Sequence, residues 1–415
     1  MCIQILRTTQ DDTLQILSKS KLMNNITERL WNRNYTQVWI ANFLLYFSFM
    51  LLTPLFPLYL SDTFGADKQM IGIVLAGYTL TALLVRPFSG YIVDCYPRRT
   101  VLLVSFLLFS LLFIGYPLSG SLLMFAIIRT LHGAPFGAAT VSNSTVAIDV
   151  LASSRRAEGI GYYGLSNNVA TAISPSIALL IYGMTGSYEV LFLLAILISG
   201  LAFYCNYTVK LTSRPPVKRP PLSLDRFILL KAWRQGVCIA CFGFAYGIIS
   251  TYIAIYGKEE LNITGGTGLF FMLLSIGLIL SRLMGGRTLR QGKITQNATI
   301  GVLISLIGYL LFATLPNYWG YYGAAFIIGL GNGHLFPAFQ TMFLNLATND
   351  QRGTANSTLY VAWDSGAGLG VLLGGMVSEH WGYHAAFAVM CLANAFGVSF
   401  YLFRAKAYFL SHKLR

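Results

Sequence analysis

Stretches of about twenty apolar residues recur along this chain, separated by short segments that carry arginines. The run IGIVLAGYTLTALLV from Ile71 gives way to RPFSGYIVDCYPRRT (Arg86 to Thr100), then to VLLVSFLLFSLLFIGY. A helix needs about 20 such residues to cross the roughly 30 Å hydrocarbon layer of a bilayer. Twelve runs reach that length, near 36–60, 70–93, 100–117, 121–147, 160–183, 188–208, 232–256, 267–286, 297–315, 319–347, 355–378 and 383–406. Most are too long for core strands, and they lack the alternation of an outer-membrane barrel. Charged residues make up 11% of the 415, against roughly 25% in a soluble domain. A water-facing surface cannot be built from that inventory, so an all-α membrane protein with twelve transmembrane helices is expected.

The placement of charge explains the net +14. The N-terminus, the connections after spans 2, 4, 6, 8 and 10, and the tail hold Arg29, Arg33, Arg98, Arg99, Arg155, Arg156, Lys210, Arg214, Lys218, Arg219, Arg226, Arg287, Arg290, Lys293, Arg352 and Arg404. The opposite connections hold Lys68 and Lys258. Such asymmetry puts both termini in the cytoplasm, and it accounts for the basic balance with no nucleic-acid partner. Two Pro-Pro pairs and several basic residues mark 209–231 as a solvated linker. The expected organisation is a cytoplasmic segment 1–35, a six-helix bundle 36–208, the linker, a second bundle 232–406 and a cytoplasmic tail 407–415. The N-terminus has no cleavable signal pattern, and Met23 is an alternative start to Met1. Six scattered cysteines read as small buried hydrophobes, with Cys238 and Cys241 inside an apolar run.

The two halves repeat. At an offset of 196, Gly72 falls on Gly268, Arg86 on Arg282, Gly90 on Gly286, Gly133 on Gly329, Gly137 on Gly333 and Arg156 on Arg352. Parallel six-span repeats are one plan of secondary transporters, with the substrate site between the halves. The loop after span 2 holds Gly90, Asp94, Arg98 and Arg99, and span 4 reads RTLHGAPFGAA with Arg129, Gly133 and Gly137. On these motifs the chain resembles the major facilitator superfamily, and in particular bacterial drug and metabolite efflux carriers. Cys95 and Pro97 depart from the first motif, and Pro175 follows Ser174 where the antiporter motif has glycine.

The resemblance implies two pseudo-symmetric six-helix bundles, alternating access and a cavity lined by spans 1, 4, 7 and 10. The pathway candidates are then Asn42, Arg129, Asn143, Tyr246, Asn332 and His334, with Asp364 of span 11 as the proton-loading acid. Intramembrane charges are costly and mark functional sites. For Arg129 a structural tie between spans 1 and 5 stays open; for Asp364, a carboxylate satisfied by Ser365 or an asparagine; for His334, hydrogen-bonded packing. Gly133, Gly137, Gly329 and Gly333 are helix-packing positions. Pro54 and Pro57 are expected to bend span 1. The resemblance also implies a one-sided cytoplasmic latch of Gly90, Asp94, Arg98 and Arg99, in which Asp94 meets the N-terminus of span 11 and Arg156 or Arg352 supplies the counter-charge. At the repeat position of Asp94 stands Arg290.

No nucleotide-binding loop, paired metal ligands or nucleophile elbow is present, so neither an enzyme nor a cofactor is expected. The leading expectation is a monomeric inner-membrane carrier that exports a small organic solute by proton antiport. A proton-coupled uptake symporter and a non-transporting receptor or scaffold are the alternatives.

Overall fold

The computed structural model describes residues 29–53, 55–66, 68–211, 223–263 and 267–414. The Met1 or Met23 start, Pro54 and residues 212–222 of the linker lie outside them. Among the described residues there is no strand, and the chain is a succession of long helices. Span 1 is split into Arg33–Leu52 and Phe56–Phe64, with Pro57 in the first turn of the second piece, where its missing N–H is tolerated. Spans 2 to 6 are Lys68–Cys95, Arg98–Gly115, Leu122–Asp149, Arg156–Thr185 and Tyr188–Tyr207. Spans 7 to 10 are Trp233–Glu259, Thr267–Arg290, Ile294–Thr314 and Tyr318–Leu346. Spans 11 and 12 share the helix Arg352–Phe400, folded back at Gly382, where φ is 81°. That left-handed backbone suits glycine.

Local chemistry sets the ends. Asn32, Ser121 and Asn317 each accept a hydrogen bond from the backbone N–H three residues on, starting spans 1, 4 and 10. Gly65 and Gly186, at φ 62° and 63°, stop spans 1 and 5. Ten helical segments are apolar enough to cross a membrane on composition, one of them the 61-residue Arg352–His412 that contains two spans. Span 10 completes the twelve among the described residues. Its Gly, Asn, His and Gln residues lower its hydropathy, and most of its length is buried in protein.

Leu193, Leu197 and Leu201 form an exposed stripe on span 6, while Leu191, Ala195, Ser199 and Ala202 are buried on its other side. Exposed apolar stripes of this kind suit hydrocarbon as their solvent. Within the first half, span 4 packs on spans 2 and 3, and span 1 on spans 5 and 6. In the second half, span 10 packs on spans 8 and 9, and span 7 on the helix of spans 11 and 12. Two crossings join the halves: span 2 against span 11, and span 5 against span 8. The 196-residue repeat exchanges one crossing for the other.

Candidate transport pathway and gate

The crossing of spans 2 and 11 is tightest at the arginine-rich end. A helix start leaves backbone N–H groups without intrahelical partners, and Asp94 takes two of them. Gly353 N donates to its Oδ1 at 2.8 Å and Thr354 N to its Oδ2 at 2.8 Å. Thr354 Oγ1 adds a bond of 3.0 Å. Gly90 and Gly353 permit the approach: a Cβ at Gly90 would lie 2.7 Å from the Ser357 side chain, and one at Gly353 would lie 2.6 Å from the Gly90 carbonyl. Ser357 donates to the Arg86 carbonyl, and Asn356 donates to Thr145 of span 4 at 3.1 Å.

Arg352 interacts electrostatically with Asp94, as expected of a counter-charge, and the surrounding charges extend to a second acid. Arg98 sits 3.4 Å from Asp94 and also pairs with Asp149 at the end of span 4. Arg352 pairs with Asp149 at 2.6 Å and donates to Asn349 at 2.8 Å. Asp149 is therefore shared by arginines from both halves. Arg156 donates to the Ile148 carbonyl at 3.3 Å, and Arg99 turns to the Tyr207 carbonyl of span 6 at 3.0 Å. At the other crossing, Arg290 is exposed beside Glu158 and Tyr162. Together these contacts join the two halves at the arginine-rich end.

Deeper along the same crossing, Arg86 of span 2 is ion-paired with Asp364 of span 11; their side chains are 6% and 26% exposed. The acid's partner is thus an arginine from the other half, in place of Ser365 or an asparagine. Tyr360 lies one turn before Asp364, its ring centre 5.2 Å from the Arg86 guanidinium carbon. Trp363, beside the acid, contacts Tyr246 and Phe336 at ring separations of 5.6 and 5.4 Å. Arg282, the repeat counterpart of Arg86, is buried beside Gly164 at the second crossing.

The remaining pathway candidates sit inside the halves. The Arg129 guanidinium carbon lies 4.1, 4.7 and 5.3 Å from the rings of Tyr78, Phe56 and Phe49. Arg129 donates to Tyr116 Oη at 3.4 Å, and that hydroxyl bonds His132 Nδ1 at 2.8 Å. Among the described residues no carboxylate pairs with Arg129; ring faces and a hydroxyl solvate it instead. Asn42 and Asn143 form one network with Tyr163, Ser166 and Asn206, tying spans 1, 4, 5 and 6. In the second half, His334 Nδ1 meets Asn297 Oδ1 at 2.9 Å, and Asn332 accepts from Ser305 at 3.4 Å. Cβ atoms at Gly133 and Gly329 would collide with the carbonyls of Tyr78 and Leu274; at Gly137 and Gly333 they would meet Ala82 and Ser281.

Sequence reasoning passed over Arg86, Arg282 and Asp149 as functional groups. The two arginines were readable, because each stands about eight residues inside a span, where an ionisable group is costly. Asp149 gave no comparable signal, since acids at helix ends are common. Among the described residues no cluster of three His, Cys, Asp or Glu side chains is placed to hold a metal.

Comparison with known proteins converges on this architecture. The Multidrug resistance protein MdtG of Proteus mirabilis (strain HI4320) is 24% identical over 378 residues, 86% of this chain and 92% of the relative. The Staphylopine export protein of Staphylococcus aureus (strain Mu50 / ATCC 700699) is 21% identical over 336 residues, 77% and 83% of the two chains. The fold is shared with the human organic anion transporter MFSD10 (TETRAN), at TM-score 0.74, 16% identity and coverage of 89% of this chain and 98% of that one. It is shared also with FucP in the outward conformation, at TM-score 0.75, 14% identity and coverage of 91% and 99%. The sequence model of the Major Facilitator Superfamily matches residues 38–298 and 298–411. The chain is a multi-pass membrane transporter, not an enzyme, and belongs to the Major Facilitator Superfamily.

Proposed function

We propose that the protein exports a small organic solute in exchange for protons by alternating access, as a monomer in a bacterial-type inner membrane with both termini cytoplasmic. The arginine-rich end is then the cytoplasmic gate, closed by the Asp94 and Asp149 contacts. The observation that carries the reading is the Arg86–Asp364 pair across the two halves at membrane depth.

The cycle follows from charge. Ionised Asp364 attracts Arg86 and favours the closed cytoplasmic gate. Protonation from the outer side removes that attraction, freeing span 11 from span 2. Once the gate opens, the proton leaves to the cytoplasm and solute enters the cleft. Re-ionised Asp364 then favours closure with the solute aboard. Proton influx and solute efflux are thereby opposed, which is antiport. The export named for the staphylopine relative supports the same direction, and the proton gradient stands in for any cofactor.

Untargeted metabolite and drug-sensitivity profiling of a deletion strain tests the direction. The proposal expects the solute to accumulate inside the mutant cells and sensitivity to rise. Depletion inside with accumulation in the medium would instead identify a proton-coupled uptake symporter.

A further inference from the structure

The two crossings are related by the repeat, yet their charges do not balance in the same way. In the first, Arg86 meets Asp364. In the second, the equivalent arginine is Arg282, and the position equivalent to Asp364 is Asn168, because 364 − 196 is 168. An amide replaces the acid, so the second crossing keeps an arginine without its carboxylate. The acids at the arginine-rich end are already engaged: Asp94 with the start of span 11, Asp149 with Arg98 and Arg352, Glu158 with Arg155.

Arg282 is 5% exposed. Its guanidinium lies against span 5 at Gly164, where a Cβ would sit 2.9 Å from Nη1. Among the described residues no group accepts a hydrogen bond from its Nε or Nη1. The Asn167 Oδ1 and Asn168 Nδ2 atoms are likewise unpartnered. They stand three and four residues after Gly164, on the same face of span 5. Tyr360 and His334 are within electrostatic reach of the same guanidinium. A buried cation without a partner is strongly unfavourable.

We propose that Arg282 is the anion-recognition residue of the substrate site, and that the solutes carry a carboxylate or a comparable monoanionic group. A carboxylate accepts charge-assisted bonds from the guanidinium N–H groups, and Asn168 Nδ2, one turn along span 5 from Gly164, is a further donor, free among the described residues. The site lies between the halves and is shut off from lipid, so a phospholipid headgroup is not its ligand. Arg129 is unsuited to the role, because aromatic rings of its own half surround it. The proposal rests on the transport reading given above and names the class of solute that the cleft accepts.

Isothermal titration of the purified full-length protein in detergent, with 1-naphthoate and its neutral isostere 1-naphthamide, tests it. No gradient is involved, so failure here leaves the proton-coupling reading standing. The wild type is expected to bind naphthoate about tenfold or more tightly than naphthamide, the discrimination of a site built around a charged hydrogen bond. Arg282→Gln should bring naphthoate binding down to the naphthamide level, with an unchanged thermal transition by circular dichroism. If that variant fails to fold, Arg282→Lys is read instead, where weaker binding with preference for naphthoate supports the assignment. Equal binding of the two probes by wild type, or of neither, overturns it. So does undiminished naphthoate binding by whichever variant is read.

Discussion

At Asp94 a single carboxylate accepts two backbone N–H bonds and one hydroxyl bond from the start of span 11. Asp94→Asn keeps the shape but loses the charge and turns an N–H₂ toward backbone donors. Slower interconversion is expected, with transport rate reduced about tenfold, or roughly 1.4 kcal/mol on the barrier. Solute affinity of the purified protein should not change; lost binding would make Asp94 a binding residue. Arg129 poses a different question, since a guanidinium caged by Tyr78, Phe56 and Phe49 serves either coupling or the packing of its own half. Arg129→Ala should abolish gradient-driven transport, whereas normal transport would return Arg129 to a structural role. The Asp94 contact was legible through the family resemblance, which implied a latch at the start of span 11, and a helix N-terminus favours an anion there. The Arg86–Asp364 partnership was not, because sequence marks both as costly without saying which faces which.

Among the elements, spans 2 and 11 meet through Gly90 and Gly353, where neither residue has room for a side chain. Gly90→Leu should wedge the helices apart while each half stays folded. Spin labels at Tyr96 and Thr348, both exposed at this end, should then report a longer distance than in the unsubstituted protein. An unchanged distance would mean that the gate does not depend on this contact. Most spans could be read directly from length and composition. Span 10 is less apolar because its Asn332, His334 and Gln340 are buried in protein and need not suit lipid. Span 1 is carried by two helices, Arg33–Leu52 and Phe56–Phe64, and Pro57 in the first turn of the second was the visible cue.

The whole molecule joins its halves through two crossings of unequal charge: an ion pair at the first and, at the second, an arginine without a carboxylate among the described residues. At the arginine-rich end Asp149 bridges Arg98 and Arg352 across the halves. Asp149→Ala removes the acid that Arg98 and Arg352 share, leaving Arg98 to Asp94 and Arg352 to Asn349, a loss of up to about 3–5 kcal/mol for a broken buried pair. Reversing a 99:1 population needs about 5.5 kcal/mol, so this change should move most molecules toward the open gate. The same spin-label pair reads that shift, and a distribution still centred on the closed distance would refute it. The repeat made two halves visible in sequence, but the exchange of crossings required the fold.

In the proposed cycle, protonation of Asp364, in competition with Arg86, couples the gradient to movement. It is tested most directly in proteoliposomes, with the solute identified by profiling, comparing wild type and Asp364→Asn. Uphill transport under an imposed pH gradient should vanish in the variant, while downhill solute exchange without a gradient persists. Full gradient-driven accumulation by Asp364→Asn would show that Asp364 does not carry the coupling proton.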